Sequence, residues 1–293
     1  MEIAKDESHP MESSLPLISI VTCSYQQSRY LEQTMRSVLD QGYPALEYLV
    51  IDGASRDGSV EIIRRHAPSL AYWVSEPDGG QTQALIKGFA RARGEIFGWL
   101  CSDDLLLPGA LQTVGAFFAA HPKVDALYGD ALWIDAEGRF LRPKREIDFN
   151  RFVLLYDHNY IPQPSMFWRR SLYEAVGGLD ERFELAMDAD LWERFSARTR
   201  IAHLPAYLSC MRYYADQKTR ARRNDALREN ALIRAREPLP VQGSALRLCA
   251  RALRIGAKLR AGGYAAPVPD AHLDWLRRTA APRAALTAPR PAA

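Results

Sequence analysis

Apolar residues along the first 130 positions fall into two alternating rhythms. Leu17-Ile-Ser-Ile-Val-Thr22 is a short, nearly continuous apolar run, as a strand buried on both faces requires. Over Tyr30 to Asp40, Leu31, Met35, Val38 and Leu39 recur at helical spacing, and Gly42 and Pro44 close that helix. The rhythm repeats: a strand over Leu46–Ile51, then a helix over Ser59–His66 capped by Asp57. A short strand over Ala71–Val74 precedes a helix over Thr82–Arg93. A strand over Glu95–Leu100 is followed by Leu105–Leu107, leading into a helix over Pro108–Ala120, and by a strand over Val124–Tyr128. Strands alternating with helices at a pitch of about 30 residues predict βαβ units and a twisted, mostly parallel sheet.

The alternation weakens after Gly129. Ala131–Ile134 and Arg139–Leu141 flank Asp135-Ala-Glu-Gly138, which reads as a hairpin. Further segments cover Phe149–Leu155, Gln163–Trp168 and Ser171–Val176, with a helix over Asp190–Ala197. Ile201–Leu204 and Tyr207–Arg212 read as two short strands. From Arg220 the chain is rich in Arg and Ala. Between Ala245 and Arg260, Leu246, Cys249, Ala250, Leu253 and Ala257 share one helical face, beside a stripe of Arg247, Arg251, Arg254 and Lys258.

Composition narrows the class. With 47% hydrophobic and 25% charged residues, the 293-residue chain has the make-up of a globular protein with a sizeable core. Its four cysteines, Cys23, Cys101, Cys210 and Cys249, form no CxxC pair, so neither a zinc site nor a disulfide framework is expected. No apolar run approaches the ~20 residues of a membrane helix. Residues 1–15 are polar and acidic, without a signal pattern, and read as a disordered leader. Residues 279–293 are low-complexity and read as a disordered tail.

Charge is unevenly placed. Residues 218–293 hold 16 Lys and Arg against 5 Asp and Glu; since the whole chain is +3, the first 217 residues carry −8. A basic extension on an acidic body suits packing on that body or contact with lipid headgroups. Nucleic acid is not expected, because the basic segment lacks interleaved aromatics for base stacking.

Candidate chemistry gathers at strand ends. The run Glu95–Leu100 is followed by Asp103 and Asp104, Asp52 ends the second strand, and Asp78 follows the third. The carboxyl edge of an open α/β sheet is where ligands bind. Two adjacent acids repel unless a cation lies beside them, such as a divalent metal holding a diphosphate; alternatively they belong to a solvated loop capping the next helix.

In order and spacing, these motifs resemble the family 2 glycosyltransferases of the GT-A fold, over about residues 17–214. The resemblance rests on Ser19–Tyr25, on Val50-Ile-Asp-Gly-Ala-Ser-Arg-Asp-Gly58, on Glu76–Gln81 with Ala84 and Lys87-Gly88, and on Ser102-Asp-Asp104 as a version of the DxD motif. It continues through Gln163–Arg170, Gly177–Asp180 and Met187-Asp-Ala-Asp-Leu-Trp192. It implies a Rossmann-like, three-layer α/β/α domain over 16–217, with a basic helical extension over 218–278. The implied activity is that of an inverting hexosyltransferase. It moves a sugar from a nucleotide-diphosphate sugar to a saccharide or lipid-linked acceptor, in bacterial surface polysaccharide synthesis.

The resemblance also distributes roles. Asp104 is the Mg²⁺ or Mn²⁺ ligand, and Asp103 contacts donor ribose or sugar. Tyr25 stacks on the nucleobase and Asp52 accepts its N–H. Asp78 and Lys87 complete the donor side, Lys87 towards phosphate. Asp188 is the general base, with Asp190 the second candidate, and Gln163 and Trp168 lie on the acceptor side. Three departures stand out: Ile86 where many relatives have Asn, Met187 where an acid precedes the base, and Tyr214 where a His follows the last strand. A tyrosine, with its ordinary pKa near ~10, is a poor Mg²⁺ ligand. These departures are the support for a non-catalytic, nucleotide-sugar-binding scaffold. A nucleotidyltransferase is disfavoured, because Cys23-Ser-Tyr-Gln-Gln27 is not a Gly- and Lys-rich phosphate loop. The expected location is cytoplasmic, with peripheral contact at the inner membrane face through the basic C-terminal helix.

Overall fold

The computed structural model describes residues 15–236, 244–263 and 267–280. Its first half runs β1 (Ile18–Ser24), α1 (Ser28–Leu39), β2 (Leu46–Asp52), α2 (Ser59–His66), β3 (Tyr72–Ser75), α3 (Gln81–Phe89) and β4 (Ile96–Trp99). Then come β5 (Leu105–Leu106), α4 (Ala110–Ala120), β6 (Ala126–Ile134), β7 (Phe140–Lys144), α5 (Arg151–Tyr156), β8 (Met166–Arg169), α6 (Arg170–Ala175), α7 (Met187–Ser196) and β9 (Ala202–Arg212). The basic segment forms α8 (Lys218–Ala221), α9 (Arg223–Arg234), α10 (Ser244–Arg260) and α11 (Asp270–Thr279).

Among the described residues the strands form one mixed sheet in the order β3-β2-β1-β4-β8-β6-β9-β5, with β7 paired to β6. β3, β2, β1 and β4 are parallel neighbours, as the alternation predicts. β8 is antiparallel to both β4 and β6, so the parallel order stops there. Every residue of β1 is buried, because helices cover both faces of the sheet. Alternate side chains feed two cores: Ile20 packs with Leu31, Val38 and Leu111 on the α1/α4 face, and Val21 with Phe89, Trp99 and Trp192 on the α3/α7 face. The result is the expected three-layer α/β/α arrangement. At Gly88 a Cβ would stand 2.4 Å from Val21 Cγ1, so only glycine lets α3 lie this close to β1.

Four local expectations need correction. Val124–Tyr128 and Ala131–Ile134 are not separate strands but parts of one, β6, which runs from Ala126 to Ile134. Residues 201–204 and 207–212 are one strand, not two. Gly129 pairs with Leu204 and Asp130 with Tyr207, so Pro205 and Ala206 bulge out of register and imitate a break in the sequence. Leu105 and Leu106 do not lead directly into a helix; they pair with Cys210 and Ser209 of β9. α3 ends at Phe89, short of Arg93.

The basic helices pack on the sheet domain. α9 lies on α7, α10 on α5, and Leu276 of α11 joins Leu105, Leu132 and Cys210. On α10, Leu246 and Ala250 face α5 and Ala257 packs inward, but Cys249 and Leu253 are exposed. Arg254 and Lys258 reach inward to Asp157 and Glu146 rather than forming an outer stripe. The helix of α11 includes Thr279, where the tail was expected to begin. Residues 1–14 of the expected leader and 281–293 of the expected tail lie outside the described residues.

Candidate active site

Strand register sets up the site. β1, β2 and β3 end in line, with Ser24 beside Asp52 and Asp52 beside Ser75. β4 ends at Trp99, and a turn closed by Asp104 N–H on Cys101 O carries the acid pair beyond the sheet edge. Thr34 of α1 fixes this turn, its Oγ1 lying 2.9 Å from the carbonyls of Ser102 and Asp104.

The end of β9 meets the same turn. Arg212 donates its backbone N–H to Asp104 Oδ1 (2.8 Å) and its Nε to Asp103 O (2.7 Å). Its other nitrogens reach the carbonyls of Asp135 and Ala136 and the side chain of Gln33, and Tyr30 lies under the guanidinium. Only 1% of Arg212 is exposed. Two residues on, Tyr214 Oη donates to Asp103 Oδ2 at 2.8 Å. Burial raises the pKa of both acids, and the charge of Asp103 raises Asp104 further. The Tyr214 hydroxyl draws Asp103 back, and Arg212 draws on both acids.

One ligand atom each from Cys101, Asp103 and Asp104 lies within 4.8 Å of the others. Two crowded carboxylates whose burial resists their charge are a donor set that a divalent cation fits, and oxygen ligands suit Mg²⁺ or Mn²⁺. Cys101 is held as a thiol: Gln81 Nε2 donates to its Sγ at 3.3 Å, and the Sγ donates to Gln163 Oε1 at 3.4 Å. Gln163 in turn donates to Trp99 O. Gln163 therefore buttresses the acid turn, a place the acceptor-side expectation did not give it.

On the donor side, Tyr25 is 64% exposed, as a stacking platform needs to be. A Cβ on Gly53 would lie 3.2 Å from both the Tyr25 ring and Asp78 Oδ2, so glycine keeps the gap between ring and carboxylate open. Asp52 is fully enclosed. Its oxygens accept from Ser55 N, Ser55 Oγ and Ser75 Oγ at 2.6–2.9 Å. It holds the loop that carries Gly53 and does not offer an open oxygen, which corrects the expected direct contact with a base. Gln26 (φ +53°) and Ala54 (φ +61°) take left-handed backbone conformations in the two facing loops, which are tied together by Gln26 N–H on Ser55 Oγ. Lys87 pairs with Glu76 at 2.5 Å, so the structure gives its charge a partner other than a phosphate.

On the other side, Asp188 occupies the first turn of α7. Thr82 at the start of α3 donates to Phe183 O, and neighbouring Gln81 reaches Cys101, so the entry to α7 lies beside the acid turn. Trp192, one helical turn after Asp188, stacks on Trp99 at 5.8 Å. Asp188 as a residue is half-buried, and its carboxyl is crowded by protein. Burial pushes its pKa up to about 6, against hydrogen bonds from backbone N–H groups and from Asn159 Nδ2 (2.8 Å).

Two acceptor-side expectations fail. Asp190 is fully buried, its carboxylate locked between Arg194 and Arg236, so it is a structural ion-pair centre and not an alternative base. Trp168 is fully buried among Phe89, Trp99, Tyr173 and Trp192, so it is core and cannot touch an acceptor. Three contributors had no assigned role from the sequence. In the sequence Arg212 is only the last residue of the strand Tyr207–Arg212, two positions before Tyr214. Asn159 stands 29 positions before the acid it serves. Glu229 accepts the N–H groups of Glu184, Leu185 and Ala186 ahead of α7 and adds a negative charge near Asp188. No local pattern announces the last two.

Comparison with known proteins bears on the fold and the family. An uncharacterized glycosyltransferase of Mycobacterium tuberculosis is 32% identical over 201 residues, covering 68% of this chain and 74% of the relative. The O-antigen biosynthesis protein RfbC of Myxococcus xanthus is 33% identical over 202 residues, covering 66% of this chain but only 15% of that protein. Two solved structures share the fold at lower identity. TarS of S. aureus in complex with UDP-GlcNAc superposes with a TM-score of 0.60 at 17% identity, over 83% of this chain and 72% of that one. The mannosyltransferase PcManGT of Pyrobaculum calidifontis, in complex with GDP-Man and Mn²⁺, gives 0.59 at 21% identity over 90% and 79%. The family model described as "Glycosyl transferase family 2" matches residues 19–177, more than half of the sequence, and the chain belongs to that family.

Proposed function

We propose that the protein transfers a sugar, with inversion, from a nucleotide-diphosphate sugar to a hydroxyl of a saccharide or lipid-linked acceptor in bacterial surface polysaccharide synthesis. The observation that carries this reading is the pairing of two kinds of acid across one sheet edge. Asp103 and Asp104 sit in a turn held by Arg212 and Tyr214, and Asp188 stands opposite at the start of α7 with its pKa raised to about 6. A carboxyl tuned towards neutrality is suited to take the proton of an attacking hydroxyl. The nucleobase lies against Tyr25 in the gap kept by Gly53, with Asp78 at its edge and Asp52 holding the loop. Asp103 and Asp104 would hold Mg²⁺ or Mn²⁺, with Asp103 also towards the donor sugar. When bound, the ion neutralises the charge that grows on the departing diphosphate. Tyr214, in place of the usual His, orients Asp103. Asp188 receives the acceptor proton, and Asn159 keeps the accepting oxygen in position.

No described helix is long and apolar enough to cross a membrane. We place the enzyme in the cytoplasm, at the inner membrane face. Donor hydrolysis measured across UDP-, GDP- and dTDP-sugars with Mn²⁺ tests the reading. Loss of turnover in both Asp104→Ala and Asp188→Ala is expected. Turnover that survives in either variant removes that residue from the mechanism, and donor binding without turnover in the unaltered protein refutes the transferase assignment of this site.

A further inference from the structure

α10 has two apolar faces, and only one is covered. Ala250 is buried against Leu155 and Tyr156 of α5, with Leu246 packed beside them, and the ion pairs Arg254–Asp157 and Lys258–Glu146 clamp this inner side. On the opposite side Leu248, Ala252, Ile255 and Leu259 recur at spacings of four, three and four, which makes one continuous stripe. Leu248 and Leu259 are each 65% exposed and Ile255 40%. The outer face of a helix packed on a domain is ordinarily polar, and clustered exposed leucines mark a contact surface. Arg247 and Arg251 run along one edge of the stripe and Arg260 along the other, all exposed.

We propose that this outer face of α10 docks on an anionic lipid bilayer. Apolar side chains flanked by arginines match the boundary between acyl chains and negative headgroups, which a helix lying in the membrane plane occupies. The charge of the segment agrees: residues 218–293 carry a surplus of eleven positive charges, while the rest of the chain is at −8. Location gives the contact a purpose. α10 lies on α5, and three residues after α5 ends Asn159 donates to Asp188. The lipid surface therefore approaches the acceptor side of the site rather than the nucleotide side. Taken with the sugar-transfer reading, on which this step rests, the acceptor is lipid-linked and reaches Asp188 from the bilayer.

Co-sedimentation of the full chain with vesicles tests this. One set is phosphatidylcholine alone, and the other includes phosphatidylglycerol at about one lipid in three. Binding to the anionic vesicles only is expected. Leu248→Gln/Ile255→Gln/Leu259→Gln keeps a helix-compatible surface and should weaken binding by about a hundredfold or more, with donor hydrolysis unchanged. Arg247→Gln/Arg251→Gln should weaken it by about fivefold per arginine. Absence of binding by the unaltered chain, or unaltered binding by the triple variant, overturns the proposal. So does a dimer that the triple variant converts to monomer without vesicle binding, because the stripe is then a contact between copies of this chain. Vesicle binding by a protein that hydrolyses no donor leaves the docking surface standing and removes the lipid-linked acceptor with the transfer reading.

Discussion

Asp188→Asn should make the protein more stable while abolishing transfer. Burial raises the Asp188 carboxyl from its ordinary value of 3.8 to about 6, so the fold favours the protonated form. The sign follows from linkage. With the folded pKa above the unfolded one, the favourable contribution of Asp188 is complete below pH 3.8 and is lost as pH rises through about 6. At pH 7.5 the folded protein holds a carboxylate that its surroundings resist. A shift of roughly two pH units corresponds to about 3 kcal/mol at most. Partial exposure, and the poorer match of an amide to the backbone N–H groups it faces, reduce the expected gain to about 1–2 kcal/mol. Asn159 can still donate to the amide oxygen at position 188. For a chain of this size the gain corresponds to a Tm higher by about 2–6 °C. Calorimetry of both proteins without donor, at pH 7.5 and at successively lower pH, reads it directly. The gap should narrow as pH falls through 6. In parallel, kcat/KM of the unaltered enzyme should climb with pH and level off above about 6, and the variant should lose about 10²–10⁴ in kcat. A variant no more stable than the unaltered protein at pH 7.5, or a gap independent of pH, would refute the reasoning.

The neighbouring acid should behave in the opposite way. Asp190→Asn leaves Arg194 and Arg236 without the carboxylate they share, and Tm should fall by an amount equivalent to about 3–5 kcal/mol, while the pH midpoint of activity stays in place. Tyr214→Phe removes the hydroxyl that orients Asp103, so titration of activity with Mn²⁺ should show the metal requirement rising by about tenfold, with little change in Tm. Arg212→Lys cannot span Asp103, Asp135, Ala136 and Gln33 at once, and thermal unfolding should report a loss of about 2–4 kcal/mol.

How far the sequence anticipates the structure depends on the range of the interaction. Apart from β5, the strands and helices up to α4 follow from local periodicity, and the acids at strand ends follow from where those strands stop. Interactions that bridge distant positions leave no such trace. Trp168 sits in a motif that resembles an acceptor-side segment, but whether a tryptophan faces a cleft or a core is decided by Phe89, Trp99 and Trp192, which arrive from three other elements. Asp190 looks like a second base because it is two positions from Asp188, yet on a helix that offset turns it to another side, where Arg236 of the C-terminal segment is waiting. Pro205 cannot sit in a regular ladder and so interrupts the strand pattern of β9, and only the pairing with β6 shows that the strand continues past it. On α10 the sequence carries both an inner and an outer apolar face. Periodicity finds the inner one and cannot tell which face is already covered.

The loss of the usual histidine after the last strand is best understood through Arg212. A histidine two positions beyond it would add a ligand to the metal, whereas Tyr214 adds a donor to Asp103. The acid turn compensates through geometry. Arg212 spends its backbone N–H on Asp104 and its side chain on the carbonyls of the acid turn and of the β6–β7 hairpin. The backbone N–H of Arg212 and the hydroxyl of Tyr214 thereby fix the Asp104 and Asp103 carboxylates before any ligand arrives, and the buried guanidinium holds the turn that carries them. Arranging ligands in advance lowers the ordering cost of binding a cation, which offsets part of what one fewer ligand loses. The same arrangement ties the acid turn to the end of β9, and through Gln33 to α1. Metal affinity in this enzyme should therefore respond to substitutions at Arg212 and Tyr214 as strongly as to changes in the number of ligands, which is the outcome that the Tyr214→Phe titration separates.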